Sequence, residues 1–335
     1  MRKMGGWITL METITVVVPC YNEEDVLKSF YNEMIKVASE MKNVDFEILF
    51  IDDGSKDKTL SIIKNYSTVD SRVKYISFSR NFGKEAAIYA GLKAAIGEYV
   101  VIIDADLQHP PRLIKDMYYG IVKEGYDSVA AYRKDRTGES KIRSFFSRSF
   151  FKLASKITKL DFREGEEDYR MMNRMFVDAV LSIKEKNRFT KGIFQWVGFN
   201  VKWIEHENIN RVAGNSKWSI FRLFTYSLDG IIGFSTVPLL ISSFLGLILC
   251  LISTILGIYL IIKGISTNSV ISSSLMSVLV TLLISGVQLF LFGILGQYLG
   301  KTYLEIKERP LYIVKDQKIL VNKEIEINEE FKIEA

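Results

Sequence analysis

Thr13-Ile14-Thr15-Val16-Val17-Val18 is an unbroken, largely β-branched run that stops at Pro19 and opens into Cys20-Tyr21-Asn22-Glu23-Glu24. Such side chains favour a pleated strand, and a run without polar alternation reads as a strand buried on both faces. The pattern recurs downstream. Phe46–Ile51 is a second predicted strand, closed by Asp52-Asp53-Gly54-Ser55, and Val73–Phe78 is a third. Tyr99–Ile103 is a fourth, closed by Asp104-Ala105-Asp106. A helical pattern runs from about Glu24 to Met41, and Lys84–Ala95 is Ala-rich and helical. Apolar strands alternating with helices predict an α/β domain with a mostly parallel, Rossmann-like sheet. Ligands of such sheets bind beyond the carboxyl ends of the strands. The polar clusters at 21–23, 52–55 and 104–108 are therefore expected to meet.

Composition divides the chain. It has 335 residues, 44 Lys+Arg, 39 Asp+Glu and a net charge of +5, with 48% hydrophobic residues. Gly230–Gly300 spans 71 residues with one charge, Lys263. Disorder is excluded by the apolar content, and a fully soluble fold by that block. The expected organisation is a charged domain over 1–229, two transmembrane helices within 230–300, and a tail over 301–335. The uncharged runs are Val237–Ile262 and Ser272–Leu299, with the second helix at about 275–299, each long enough to span a bilayer. Lys217, Arg222, Lys301, Lys307 and Arg309 flank the spans, against Lys263 in the connector. That asymmetry predicts a multi-pass protein of the cell (inner) membrane with its charged domain and tail in the cytoplasm. In the tail, Lys318–Val321 and Glu324–Ile327 alternate like one or two short strands. Cys20 and Cys250 lie in unlike parts, so no disulfide is expected, and the N-terminus lacks the apolar run of a cleaved signal.

Residues 133–159 carry nine Lys/Arg and two Asp/Glu. Ile142, Phe146, Phe150, Leu153, Ile157 and Leu160 recur at helical spacing. A basic amphipathic helix near 141–160 suits a membrane interface, although a solvated helix face reads the same way. A second interfacial helix is expected near 217–229, around Trp218, Phe221, Phe224 and Tyr226.

No G-x-G-x-x-G follows the first strand, no P-loop is present, and the two histidines are too few for a His-based metal site. What remains is carboxylates at strand ends. Asp104 and Asp106 offer hard oxygen ligands for Mg²⁺ or Mn²⁺ held with substrate phosphates, and Gln108 adds a carbonyl oxygen. An isolated Asp-x-Asp is commonly a turn; the position beside two other polar clusters favours chemistry. Asp52-Asp53-Gly54-Ser55 makes a good turn, yet a carboxylate there suits the N–H of a pyrimidine base. His109 reads as a loop residue before Pro110-Pro111 and takes no role.

Val18-Pro19-Cys20-Tyr21-Asn22-Glu23-Glu24, Asp52-Asp53-Gly54-Ser55, Asp104-Ala105-Asp106-Leu107-Gln108-His109-Pro110-Pro111 and the paired C-terminal spans together resemble the inverting GT-A glycosyltransferases of family 2. Within it they are similar to the polyprenyl-phosphate (bactoprenol) glycosyltransferase type, related to dolichol-phosphate mannose synthase. Arg80-Asn81-Phe82-Gly83-Lys84 and Arg211–Ser219 also look like that branch. Order and spacing are more specific than any single motif, and the likeness covers about residues 12–310.

The resemblance implies a GT-A domain, a nucleotide-sugar donor, a divalent metal and a polyprenyl (undecaprenyl) phosphate acceptor. By motif, Pro19, Tyr21, Glu23, Asp53, Ser55 and Asp104 would bind the nucleotide-sugar. Asp106 and Gln108 would hold metal, with Asp104 acting directly or through water. Asp168 and Arg170 match the catalytic carboxylate and its supporting arginine. Arg133 and Arg136 suit the acceptor phosphate. The implied reaction is inverting transfer of one sugar, foremost glucose from UDP-glucose; UDP-GlcNAc, GDP-mannose and a non-catalytic membrane scaffold are the alternatives. Gln195-Trp196 lacks the Gln-x-x-Arg-Trp of processive relatives, which argues for a single transfer. Membrane lipids are expected partners and nucleic acid is not. A second copy of the chain, a flippase and a downstream transferase are compatible partners.

Overall fold

The computed structural model describes residues 11–133, 163, 165–206 and 273–319, with parts of 155–158 and 232–262. The chain divides into two compact units, one of 1–153, 160–217 and 310–335, the other of 154–159 and 218–309.

The first unit carries the strands β1 (Glu12–Cys20), β2 (Val44–Asp52), β3 (Val73–Phe78), β4 (Tyr99–Ile102), β5 (Ser128–Arg133), β6 (Glu166–Asn173), β7 (Val201–His206) and β8 (Val314–Lys318). They form one 8-stranded sheet in the order β7-β5-β6-β4-β1-β2-β3-β8. The pairs β1–β2, β1–β4 and β2–β3 are parallel, as the buried apolar runs predict. Their carboxyl ends therefore share one edge. β6 enters antiparallel beside β4, with Ile102 opposite Arg170. Because it runs the other way, its amino end, not its carboxyl end, reaches the edge where β1, β2 and β4 finish.

The helices of this unit are α1 (Leu27–Glu40), α2 (Thr59–Val69), α3 (Lys84–Ala94), α4 (Leu113–Val122), α5 (Arg174–Ser182) and α6 (Thr190–Trp196). Phe30, Met34, Ile63, Ile114 and Met117, from α1, α2 and α4, pack with Val16, Val18, Ile48 and Phe50 into one buried core. Neighbouring strand residues point oppositely, so Val17 faces the other side. There α3 lies close enough that a Cβ on Gly91 would meet Val17 Cγ1 at 2.2 Å. The α5 N-terminus is capped by Asn173, whose side chain accepts from Phe176 N at 2.8 Å.

The tail strand falls earlier than expected. Val314–Lys318 pairs antiparallel with β3, whose outer backbone groups would otherwise be unpaired. Residues 320–335, including Glu324–Ile327, lie outside the described residues, as do most of 141–160 and all of 217–229.

In the second unit, α7 (Ser273–Ile306) is a helix of 34 residues that contains the second expected span. The expected transmembrane hairpin is not recovered. Among the described residues no helix is long and apolar enough to cross a membrane. The span at 237–262 is described only in pieces.

The close seat of α3 on β1 gives a direct test. Val17 is held in a strand and stiff at χ1, so a methyl at position 91 forces α3 outward. Gly91→Ala should destabilise the first unit by about 1–3 kcal/mol, read as a lower denaturant midpoint.

Candidate active site

The first two polar clusters interlock. Asn22 adopts φ 54°, and its backbone N–H donates to Ser55 Oγ at 3.0 Å while Lys56 N donates to Asn22 Oδ1 at 2.8 Å. Glu23 N donates to Thr59 Oγ1 at 2.8 Å, and Glu24 N to Asp57 Oδ2 at 3.2 Å. Asp52 is buried; it accepts from Ser77 Oγ at 2.7 Å and from Ser55 N at 3.1 Å. Pro19 lies on β1 opposite Ile51, one residue before Asp52. The loop that bears Pro19, Tyr21 and Glu23 is thus locked to the loop that bears Asp53 and Ser55.

Gly54 explains how the second loop reaches its neighbour. Its φ is +68°, and a Cβ there would meet the Arg80 carbonyl carbon at 2.4 Å. Only glycine allows both the left-handed conformation and this backbone approach. The approach lets Asp53 receive two backbone N–H groups, Phe82 N at 2.6 Å and Gly83 N at 2.9 Å. Burial pushes the Asp53 carboxyl above its ordinary value, and these two donors oppose that shift. The carboxylate expected to meet a nucleotide base also braces the loop before α3.

That loop delivers Lys84, which stands in the Arg80–Lys84 motif but has no role assigned by sequence alone. Its ammonium lies 2.8 Å from Asp104 Oδ1 and 2.7 Å from Asp168 Oδ2. Asp104 follows β4 and Asp168 lies near the start of β6, so the antiparallel entry of β6 is what brings them together. Burial alone would raise the Asp168 carboxyl, but the charges of Lys84 and Lys191 hold it well below the usual carboxylate range. Burial would lower the Lys84 ammonium, yet Asp104 and Asp168 keep it above the ordinary lysine value. A carboxylate so stabilised is a poor proton acceptor and a good fixed charge.

Asp106 turns within its own loop, accepting from Gln108 N at 3.1 Å. Leu107 between them has φ 59°, strained for a residue with a γ-branch. Among the described residues no group of three or more His, Cys, Asp or Glu is arranged to hold a metal ion. Arg170 points away from solvent. Its guanidinium is fully buried, paired to Glu166 Oε1 at 2.7 Å and stacked 4.1 Å from the Phe194 ring centroid. Burial lowers it, against the raising charges of Glu166 and Asp168. Arg133 ends β5 opposite His206, and Arg136 lies outside the described residues.

The histidines also gather, although the sequence around His109 reads only as a loop. Glu167 Oε2 lies 3.0 Å from His109 Nε2 and 2.6 Å from His206 Nε2. Burial would lower the His109 imidazole, but its hydrogen bond to Glu167 and the charge of Asp104 raise it. Tyr169, next along β6, donates to the Pro110 carbonyl at 2.9 Å. The Asp-Ala-Asp loop is thereby pinned to β6 from its far side. The two histidines are 97 positions apart in sequence, and only the parallel β5–β7 pairing brings His206 to this edge.

Residues 15–181 match the family described as Glycosyl transferase family 2. The chain is 42% identical over 321 residues to a putative glycosyltransferase, CsbB, of Bacillus subtilis (strain 168), covering 95% of this chain and 96% of that one. It is 39% identical over 309 residues to a bactoprenol glucosyl transferase of Shigella phage SfX, covering 91% of this chain and 99% of that one. A solved structure of glucosyl-3-phosphoglycerate synthase from Mycobacterium tuberculosis, in complex with Mn2+, uridine-diphosphate-glucose and phosphoglyceric acid, is similar over 66% of this chain and 78% of that one, at 22% identity and a TM-score of 0.43. The mostly parallel α/β sheet is the GT-A architecture, and the family match makes the chain a glycosyltransferase. The chain belongs to glycosyl transferase family 2.

Two substitutions test the site. Lys84→Met removes the charge shared by Asp104 and Asp168, and should lower kcat/KM for glycosyl transfer about 100-fold, or about 2.7 kcal/mol. Glu166→Ala strands the Arg170 charge in the interior and should cost about 3–5 kcal/mol of stability, measured by denaturant unfolding.

Proposed function

We propose that this glycosyltransferase moves one glucose from UDP-glucose to a polyprenyl phosphate at the cytoplasmic membrane face, with inversion. The observation that carries the reading is the near full-length likeness to bactoprenol glucosyl transferase, 39% identical over 91% of this chain.

The chemistry suits the residues. The acceptor is a phosphate monoester with a second pKa of about 6, already largely anionic at neutral pH. Its oxygen attacks the anomeric carbon in line, forming the C–O bond as the bond to the nucleotide diphosphate breaks. Little proton removal is needed, so a strongly anionic Asp168 serves by orienting and by holding Lys84 in place. The heavier burden is the charge on the departing diphosphate, which nearby cations meet. An α-linked donor gives a β-linked product.

The residues fit a divalent ion. Mg²⁺ usually takes one or two carboxylates plus substrate phosphates, and Asp104 already draws the Lys84 ammonium. Asp104, Asp106 and Gln108 would hold Mg²⁺ or Mn²⁺, and such an ion neutralises leaving-group charge. Pro19, Tyr21, Glu23, Asp53 and Ser55 line the donor side by this reading, and Arg133 and Arg136 take the acceptor phosphate.

Membrane attachment through 230–300 follows from the single charge in that segment and from apolar side chains open to the surroundings on α7. Leu289 is 72% exposed, Phe292 66% and Leu299 67%. Apolar surface on that scale demands a cover. The excess of Lys and Arg at the segment's ends, and in 133–159, favours the anionic cytoplasmic leaflet.

Purified full-length protein mixed with UDP-glucose, Mg²⁺ and polyprenyl phosphate should yield a lipid-linked glucose. Asp106→Ala or chelation with EDTA should abolish it. Product from UDP-GlcNAc or GDP-mannose in place of UDP-glucose corrects the sugar; product from none of them defeats the proposal. Turnover that persists in Asp106→Ala and still depends on metal overturns the metal assignment.

A further inference from the structure

We infer that Tyr312, on the tail that returns to the sheet edge, is a positioning residue for the donor-side loop 79–83 and hence for Lys84. The tail docks by backbone first: β8 pairs with β3, and Ser79 N donates to the Ile313 carbonyl at 2.9 Å. Asp316 adds an ion pair to Lys64 and accepts from the Tyr75 hydroxyl at 3.4 Å. The register shifts between Ser77 and Phe78, where β3 gives way to the loop. There Tyr312 lies over Phe78, ring centroids 4.8 Å apart and planes 18° from parallel. Phe78 in turn meets Phe82 edge-on at 5.8 Å. The Phe82 and Gly83 amides are those that Asp53 accepts, and Lys84 follows at once. Tyr312 also reaches α3 directly, 6.5 Å from the Tyr89 ring.

The loop is therefore held from two sides. Asp53 grips its backbone from the nucleotide side, and Tyr312 backs its aromatic side chains from the tail side. The core of Phe30, Ile48 and their neighbours, on the opposite face of the sheet, does not include the tyrosine. What Tyr312 determines is where the loop stands, and with it the distance from Lys84 to Asp104 and Asp168.

The kinetic half of this inference rests on the transferase reading, and the structural half does not. Hydrogen exchange on the full-length chain in detergent separates them. Tyr312→Ala should speed exchange in peptides covering 79–90 by about tenfold and leave peptides of β1 and β2 unchanged. Tyr312→Phe keeps the stack and should behave as the native chain. In the glucosyl-transfer assay, Tyr312→Ala should raise the KM for UDP-glucose about fivefold or more and lower kcat, with the KM for polyprenyl phosphate within about twofold. Should the alanine variant fail to accumulate, Tyr312→Leu keeps apolar bulk without the stacked ring and gives the same readout. Unchanged exchange at 79–90, faster exchange across β1 and β2 as well, or a Phe variant as impaired as Ala each overturn the inference. So does faster loop exchange with a native KM and kcat, since the contact is then structural only. If the native chain makes no lipid-linked sugar from any donor, the transferase reading fails, and exchange at 79–90 alone decides whether Tyr312 holds the loop.

Discussion

One ammonium stands between two carboxylates that would otherwise repel each other. Asp104 and Asp168 come from neighbouring strands and meet at the same Lys84 ammonium. Two like charges drawn to one point need a shared counter-charge. Lys84 supplies it at 2.8 and 2.7 Å. The rest of the site brings this lysine to that point and keeps it there. Gly91 lets α3 lie against β1; Gly54 lets the Asp53 loop touch the backbone at Arg80; Asp53 then fixes the two amides ahead of Lys84.

The sheet supplies the remaining constraint. A purely parallel sheet places each strand's loop at the carboxyl edge and each amino end at the opposite one. Entering antiparallel, β6 turns its amino end toward the carboxyl edge and contributes side chains, not just a loop. Alternation along β6 then divides the work between faces. Glu166, Asp168 and Arg170 point toward α3 and α6, where Lys84, Lys191 and Phe194 meet them. Glu167 and Tyr169 point to the other side and tie down the loop at His109-Pro110. One strand both presents a charged group to the crevice and steadies the loop that bears Asp104 and Asp106.

Much of this is legible in the amino-acid sequence. The four apolar runs carry their own strand signal, since burial on both faces leaves no polar position to confuse the period. The turn residues at 52–55 and 104–108 mark strand ends for the same reason that they make sites: carboxylates and glycine are tolerated where the ladder stops. Asp168 is reachable only through the family resemblance, because an acid in Glu164–Asp168 is indistinguishable by composition from its neighbours. Lys84 and Glu167 are harder. Their importance lies in distances between elements, and no local pattern encodes the direction in which β6 enters the sheet. His109 passes for a bland loop residue because its partners, Glu167 and His206, are distant in sequence. A hint exists: a histidine ahead of two prolines has little freedom, and a rigid loop is where a buried contact costs least in entropy. Arg170 departs the other way. Its place beside Asp168 in the motif suggests contact with substrate, whereas its buried pairing with Glu166 makes it a fixed charge behind the crevice.

The protonation states bear on what the carboxylates do. A general base works best with a pKa near the working pH. Asp168 is displaced in the opposite direction, with Lys84 against it and Lys191 nearby. That displacement would be a handicap for a transferase whose acceptor is a sugar hydroxyl, which must lose a proton as it attacks. It is no handicap when the acceptor is already an anion. The direction of the Asp168 shift is compatible with the anionic acceptor proposed above. In the proposed reaction Lys84 and Lys191 would add positive charge where a phosphate acceptor and a nucleotide diphosphate, both anionic, must approach each other.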